Sequence, residues 1–115
     1  MTAEELSKII VKGMEDKKAS DIVVMDLREI NNSVSDFFVI CSGSSDKQIE
    51  AISDAVEEEV YKSHKEKPWR NEGKSTNQWV LVDFIDVVAH IFLKDKRNFY
   101  GLEELWGDAK ITEIS

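Results

Sequence analysis

The turn Cys41-Ser42-Gly43-Ser44-Ser45 is where this chain could do chemistry. A glycine and three hydroxyls that leave an apolar run and open a helix present free backbone N–H groups, which suit a phosphate. Nucleotidyl transfer at such a turn also needs two carboxylates, one residue apart on a following strand, to hold magnesium. No Asp-x-Asp or Asp-x-Glu follows at a place compatible with a strand. Asp83 and Asp86 bracket a hairpin bend, which sends them apart. The turn therefore reads as a strand-to-helix connection with a serine cap. Gly73-Lys74-Ser75-Thr76 copies the end of a phosphate-binding loop, but Pro68 stands where that motif needs its first glycine. His64, His90 and the lone Cys41 have no metal-ligand spacing. No serine or cysteine nucleophile has a recognisable base. The expectation is no catalytic residue, no metal and no cofactor.

A different pattern runs from Trp79 to Trp106. Two apolar runs around an acidic turn lead into a segment where Phe99, Tyr100 and Trp106 interleave with Asp95, Lys96, Arg97, Glu103, Glu104 and Asp108. Rigid aromatics among charges near strand ends suit a contact surface, because such residues bury area at low entropic cost. The plainer reading of each ring, Phe92 included, is a place in the core. His90, inside a strand, reads most simply as a hydrogen-bonded, half-buried imidazole. Cys41 reads as a small core residue.

Helices and strands must hold these residues in place. Residues 3–17 form a helix, with Thr2 and Glu5 spaced as a capping box and Leu6, Ile9, Ile10 and Met14 as its apolar stripe. Residues 22–27 and 36–41 are nearly continuous apolar runs, the mark of central strands covered on both faces. A second helix spans about residues 46–63, with Ser45 and Gln48 at capping-box spacing and Ile49, Ile52, Val56 and Val60 facing inward. Residues 67–70 read as an edge strand, because Pro68 would break a central ladder. Residues 79–83 and 87–93 form an antiparallel hairpin. A short helix is expected over 101–106. This order predicts a single-domain α/β fold, with a mixed sheet of about five strands and two main helices.

The 115 residues, 42% of them apolar, suffice for one domain over 1–115. No apolar run approaches the roughly 18 residues that cross a bilayer. Acidic residues at the N-terminus and a single cysteine point to a cytoplasmic protein. The net charge is −8, and all of the excess acid lies in residues 1–60. Such a chain repels nucleic acid and favours a basic protein partner, unless the acid serves only solubility.

Read end to end, the chain resembles the ribosomal silencing factor (Iojap-like) family over roughly residues 3–110. The resemblance rests on Asp36-Phe37-Phe38-Val39-Ile40-Cys41-Ser42-Gly43-Ser44-Ser45, on Glu72-Gly73, and on Trp79-Val80-Leu81-Val82-Asp83-Phe84. It continues through Asp86 to Phe92 and through Arg97 to Ala109. Its most specific pieces are Asp83-x-x-Asp86 with His90 four residues on, and Arg97-x-x-Tyr100-x-Leu102-Glu103-x-x-Trp106. Phe84 stands where the family commonly has tyrosine.

The resemblance implies a nucleotidyltransferase-like topology without the catalytic carboxylates. It also implies a translational repressor that binds the large ribosomal subunit through that subunit's basic fourteenth protein and blocks joining of the small subunit. It leaves room for a homodimer and for a role in subunit assembly. On this reading Trp79, Tyr100, Leu102 and Trp106 are apolar anchors. Asp83, Asp86, Glu103 and Glu104 pair with basic residues of the partner, and His90 and Arg97 complete or brace the surface. The rival reading is a nucleotide-binding enzyme that uses the Gly43-Ser44 turn.

Overall fold

The computed structural model describes residues 1–30, 33, 35–97 and 109–114. Helix α1 (Ala3–Asp16) leads to strands β1 (Ser20–Asp26) and β2 (Phe37–Gly43), then helix α2 (Asp46–His64). Strands β3 (Arg70–Glu72), β4 (Trp79–Asp83), β5 (Val87–Leu93) and β6 (Lys110–Glu113) complete the described elements, with a 3₁₀ turn at Lys94–Lys96. They form one mixed six-stranded sheet in the order β3-β4-β5-β2-β1-β6. Only the central pair β2–β5 is parallel; the other four pairings are antiparallel. The expected single-domain α/β architecture with two helices holds, but with six strands rather than about five. The additional strand is β6, which pairs with β1 at the sheet edge. The edge strand expected at 67–70 instead pairs over Arg70–Glu72, so Pro68 lies before the ladder, where its missing N–H costs nothing. The helix expected over 101–106 lies outside the described residues.

Alternation along the central strands sorts side chains onto two faces. Phe37, Val39, Cys41, Val80, Val82, Val87, Ala89 and Ile91 point to the face under the helices. There they meet Leu6, Ile10 and Met14 of α1 and Ile49, Ile52, Val56 and Val60 of α2. Gly13 lets the two helices touch: a Cβ there would lie 2.9 Å from the Val56 Cα. Phe38, Ile40, Val88 and Phe92 point to the opposite, second face, joined by Val23, Met25 and Leu27 and flanked by Trp79 and Leu81. Strand β2 is buried along its whole length, as a run apolar on both faces requires.

The hydroxyl half of each expected capping box forms, without the reciprocal side-chain bond. The Thr2 hydroxyl accepts from the Glu5 N–H at 3.1 Å, and the Ser45 hydroxyl from the Gln48 N–H at 3.2 Å. These bonds satisfy donors that the first helical turn leaves free, each contributing about 1 kcal/mol. Helix α2 ends at Lys65, which adopts the left-handed conformation (φ 58°) and donates its N–H to the Tyr61 carbonyl.

Candidate functional site: the second face of the sheet

Cross-strand register builds the site. Trp79 lies opposite Phe92, and Leu81 lies opposite His90. Trp79 and His90 are therefore diagonal neighbours on one face, within reach of long side chains. The indole Nε1–H of Trp79 donates to Nδ1 of His90 at 3.0 Å. The Trp79 ring stacks on Phe92 at 5.1 Å between centroids, and Phe38 meets His90 edge-on at 4.6 Å. His90 is only 3% exposed, more deeply buried than the half-buried imidazole expected from sequence. Burial disfavours its charged form and pushes its pKa down to about 3. An indole can only donate, so Nδ1 must be the acceptor and the neutral ring carries its proton on Nε2. That Nε2–H finds no acceptor among the described residues. A buried donor left unmade costs about 1–3 kcal/mol, which makes Nε2 the most conspicuous polar atom of this face.

Beside His90 a cavity of about 350 Å³ opens towards solvent. Phe38, Leu81 and Val88 form its apolar walls, Trp69 and Ile85 its rim, and Ser35, Arg70, Asp83 and His90 its polar lining. Trp69 is 66% exposed and Ile85 57% exposed, both large apolar side chains turned to water. Ile85 sits at the tip of the β4–β5 hairpin with φ +75°, a left-handed conformation that a β-branched residue rarely adopts. Two clamps hold it there. Its N–H donates to Asp83 Oδ1 at 2.7 Å, and its carbonyl accepts from the Ser35 hydroxyl at 2.8 Å. Strain of this kind persists only where the surroundings over-determine it.

The two hairpin aspartates have different fates. Asp83 is buried, with Oδ1 on Ile85 and Oδ2 accepting from Arg70 Nε at 3.3 Å. Its carboxylate is thus engaged within the chain, shaping the hairpin tip. Asp86 is exposed, with its backbone carbonyl accepting from the Asp36 and Phe37 N–H groups. Arg97 reaches across to the Asp21 carbonyl and donates to the Ser42 hydroxyl at 2.9 Å. It braces the ends of β1 and β2, where Ser42 lies in register with Phe92, the ring on which Trp79 stacks. Tyr100, Leu102, Glu103, Glu104 and Trp106 lie outside the described residues. Of the ten candidates read from sequence, Trp79, Asp83 and His90 come together around the cavity or against its wall. Trp69, Arg70, Ser35 and Ile85 were not among those candidates. Only the exposed tryptophan beside a proline carried any sequence signal.

The Gly43-Ser44 turn is closed by the chain itself. Gln48 Oε1 accepts from the Ser44 N–H at 2.7 Å and from its hydroxyl at 3.0 Å. The same amide donates to the Lys17 and Lys18 carbonyls, tying the turn to the end of α1. A Cβ at Gly43 would come within 2.7 Å of Ile49 Cδ1, so the tip of that side chain would have to shift. The Cys41 thiol is fully buried, and burial pushes its pKa up, as for an inert core residue. Among the described residues no group of three or more His, Cys, Asp or Glu is placed to hold a metal. No helix among them is long and apolar enough to cross a membrane.

Comparison with known proteins gives this geometry a family. The family model described as "Ribosomal silencing factor during starvation" matches residues 1–115. A protein named ribosomal silencing factor from Bacillus subtilis is 40% identical over 114 residues, covering 99% of this chain and 95% of the relative. The chloroplastic protein Iojap of Zea mays is 37% identical over 105 residues, 91% of this chain and 45% of that longer protein. A crystal structure of a Chromobacterium violaceum protein superposes with a TM-score of 0.88 at 30% identity, covering all of this chain and 94% of its own. One from Bacillus halodurans gives 0.81 at 38% identity, covering 96% and 99%. Full-length agreement in sequence and fold places this chain in the ribosomal silencing factor family.

Proposed function

We propose that this chain binds the large ribosomal subunit through a basic ribosomal protein, the subunit's fourteenth, and sterically prevents joining of the small subunit. The observation that carries the reading is the second face itself: a pre-ordered Trp79–His90–Phe92 cluster beside a cavity whose rim exposes Trp69 and Ile85. Exposed aromatic and aliphatic side chains around a concavity suit a protein–protein contact, where a few rigid anchors dominate affinity. Exposed Asp86 adds local complementarity to a basic partner, while Asp83 acts indirectly by holding Arg70 and Ile85. Tyr100, Leu102 and Trp106 join as apolar anchors and Glu103 and Glu104 as acidic contacts, on the family resemblance. His90 and Arg97 act as braces. The names of the relatives agree with a ribosome-directed role. The nucleotide-binding alternative gains nothing from the Gly43-Ser44 turn, whose Ser44 donors are taken by Gln48.

The test is sucrose-gradient sedimentation of the purified chain with separated large and small subunits. The expected result is co-migration with the large subunit and reduced formation of joined ribosomes. Tyr100→Ala and Trp106→Ala should each weaken binding by about 2 kcal/mol or more, roughly thirty-fold. A chain that stays at the top of the gradient at low salt refutes the reading.

A further inference from the structure

We infer that Arg70 is the positioning residue for Trp69, holding that exposed indole ready as an anchor for the docking partner. The inference rests on reading the second face as a protein-binding surface, and it assigns roles to two residues of its rim. It starts from a misfit. The cavity lining contains one cation, Arg70, on a surface proposed to meet a basic protein. A cation offered to that partner would repel it. Arg70 is instead engaged within the chain. Its Nε donates to Asp83 Oδ2 at 3.3 Å, and its Nη1 donates to Glu72 Oε1 at 2.8 Å. The strand pattern supplies both acceptors. Asp83 lies directly opposite Arg70 in the β3–β4 ladder, and Glu72 is two residues further along β3, on the same face. Two carboxylates offset the one charge, so what Arg70 contributes is its shape.

The pinned guanidinium lies over the Trp69 ring, 5.1 Å from its centroid. A planar, delocalised cation stacks on an indole, and the two carboxylates fix the plane it presents. The backbone is held as well, because the Trp69 N–H donates to the Asp83 carbonyl at 2.8 Å. Yet Trp69 is 66% exposed, the highest value among the exposed large apolar side chains described. An indole turned to water has little core packing to orient it, so the guanidinium contact sets its direction. A ring ordered before docking loses less freedom on docking, and tryptophan is the side chain most often found as a dominant anchor. Trp69 is thus the contact residue. Arg70 acts through it, and Asp83 and Glu72 act through Arg70. Lysine at position 70 would keep the charge, but it presents a flexible point charge instead of a plane.

Arg70→Lys is therefore the discriminating variant, studied with Trp69→Ala and the double variant of the full chain. Affinity for purified large subunits is measured by sedimentation over a range of protein concentrations. Trp69→Ala should bind about thirty-fold more weakly, and Arg70→Lys about three- to ten-fold more weakly. In the Trp69→Ala background, Arg70→Lys should change affinity by less than about two-fold, because a positioning residue has nothing left to position. A second readout needs no ribosome. It is ¹⁵N relaxation of the Trp69 indole N–H, with the Trp79 indole, hydrogen-bonded to His90, as the reference for an intact fold. The Trp69 order parameter should drop in Arg70→Lys while that of Trp79 stays unchanged. Wild-type affinity in either single variant overturns the inference. So does an equal loss from Arg70→Lys with and without the indole, which would mean that Arg70 itself contacts an acidic group of the partner. If the wild type binds no subunits, the ribosomal reading falls, and the anchor role of Trp69 with it. The order parameter then decides the positioning alone: a drop in Arg70→Lys supports it, and an unchanged value overturns it.

Discussion

Lowering the pH from 7.5 to 5 should remove about 2 kcal/mol of folding stability through His90 alone. In the fold this imidazole is held neutral, its pKa pushed down to about 3 by burial between Phe38, Trp79 and Phe92. In the unfolded chain it titrates near the ordinary value of about 6.5. Between those two values the unfolded state binds a proton that the folded state refuses. Stability therefore rises with pH across this window and is lost as pH falls below about 6.5. Protonation of the folded ring begins only near pH 4, so the loss at pH 5 is set by the unfolded histidine, about 1.4 kcal/mol for each unit below its pKa. The shifted carboxylate among the described residues, Asp26, acts elsewhere. Its hydrogen bond from the Arg28 side chain holds its pKa below 3.8, so its contribution is lost only at lower pH. The assay is urea unfolding, followed by circular dichroism at pH 7.5 and 5, of the wild type and of His90→Phe. With a slope of about 1–2 kcal/mol per molar, the wild-type midpoint should fall about 1–2 M further than that of the variant. Parallel shifts in the two proteins would show that His90 is charged or solvated in the fold. The tautomer argument for Nε2 would fall with it.

Two other substitutions probe the scaffold and the rim. Gly13→Ala should destabilise the chain by about 1–3 kcal/mol in the same unfolding assay, because the new methyl would press 2.9 Å from the Val56 Cα and 3.1 Å from the Ala55 carbonyl oxygen, both backbone atoms that cannot yield cheaply. Ile85→Asn should stabilise by about 0.5–1 kcal/mol, because asparagine tolerates the left-handed conformation that isoleucine resists, and should at the same time weaken large-subunit binding in the gradient. Stability and affinity moving in the same direction would show that the strained isoleucine is not held for contact.

Much of the scaffold was legible because its signals are local. The helices are written in apolar stripes and caps, and both serine or threonine caps fall where the spacing puts them. The hairpin over 79–93 follows from two apolar runs and a short acidic bend. Strand β6 escaped because Lys110–Glu113 is fully exposed and alternates weakly; only pairing with β1 makes it a strand. The site was legible in part. Trp79 and His90 stood out as residue types, but their hydrogen bond depends on a diagonal cross-strand register that no local pattern encodes. The reach of Ser35 across 50 positions to the Ile85 carbonyl and the left-handed turn at Ile85 are tertiary effects of the same kind. The capping boxes show the boundary most clearly. Gln48 sits at the expected spacing, yet its side chain turns to Ser44 and to the end of α1, because tertiary partners were within reach.

The excess acid and the proposed contact surface lie on different sides of the molecule, and the distances decide what each can contribute. Exposed acids such as Glu15, Asp16, Glu50, Asp54 and Glu58 belong to the two helices, which cover the first face. On the second face Asp83 and Glu72 are both paired with Arg70. The domain measures 24 Å along its shortest axis, whereas charges in physiological salt are screened over about 8 Å. The helical acids therefore add little contact energy on the second face. They act during approach, by making the whole chain attractive to a basic surface at low ionic strength. Affinity and selectivity must come from the second face, where the described charges are largely neutralised within the chain and the unspent features are a buried donor, an apolar cavity and a rim of exposed Trp69 and Ile85. Salt should accordingly slow association far more than it speeds release, since the first depends on the field of the helices and the second on desolvated contacts around His90.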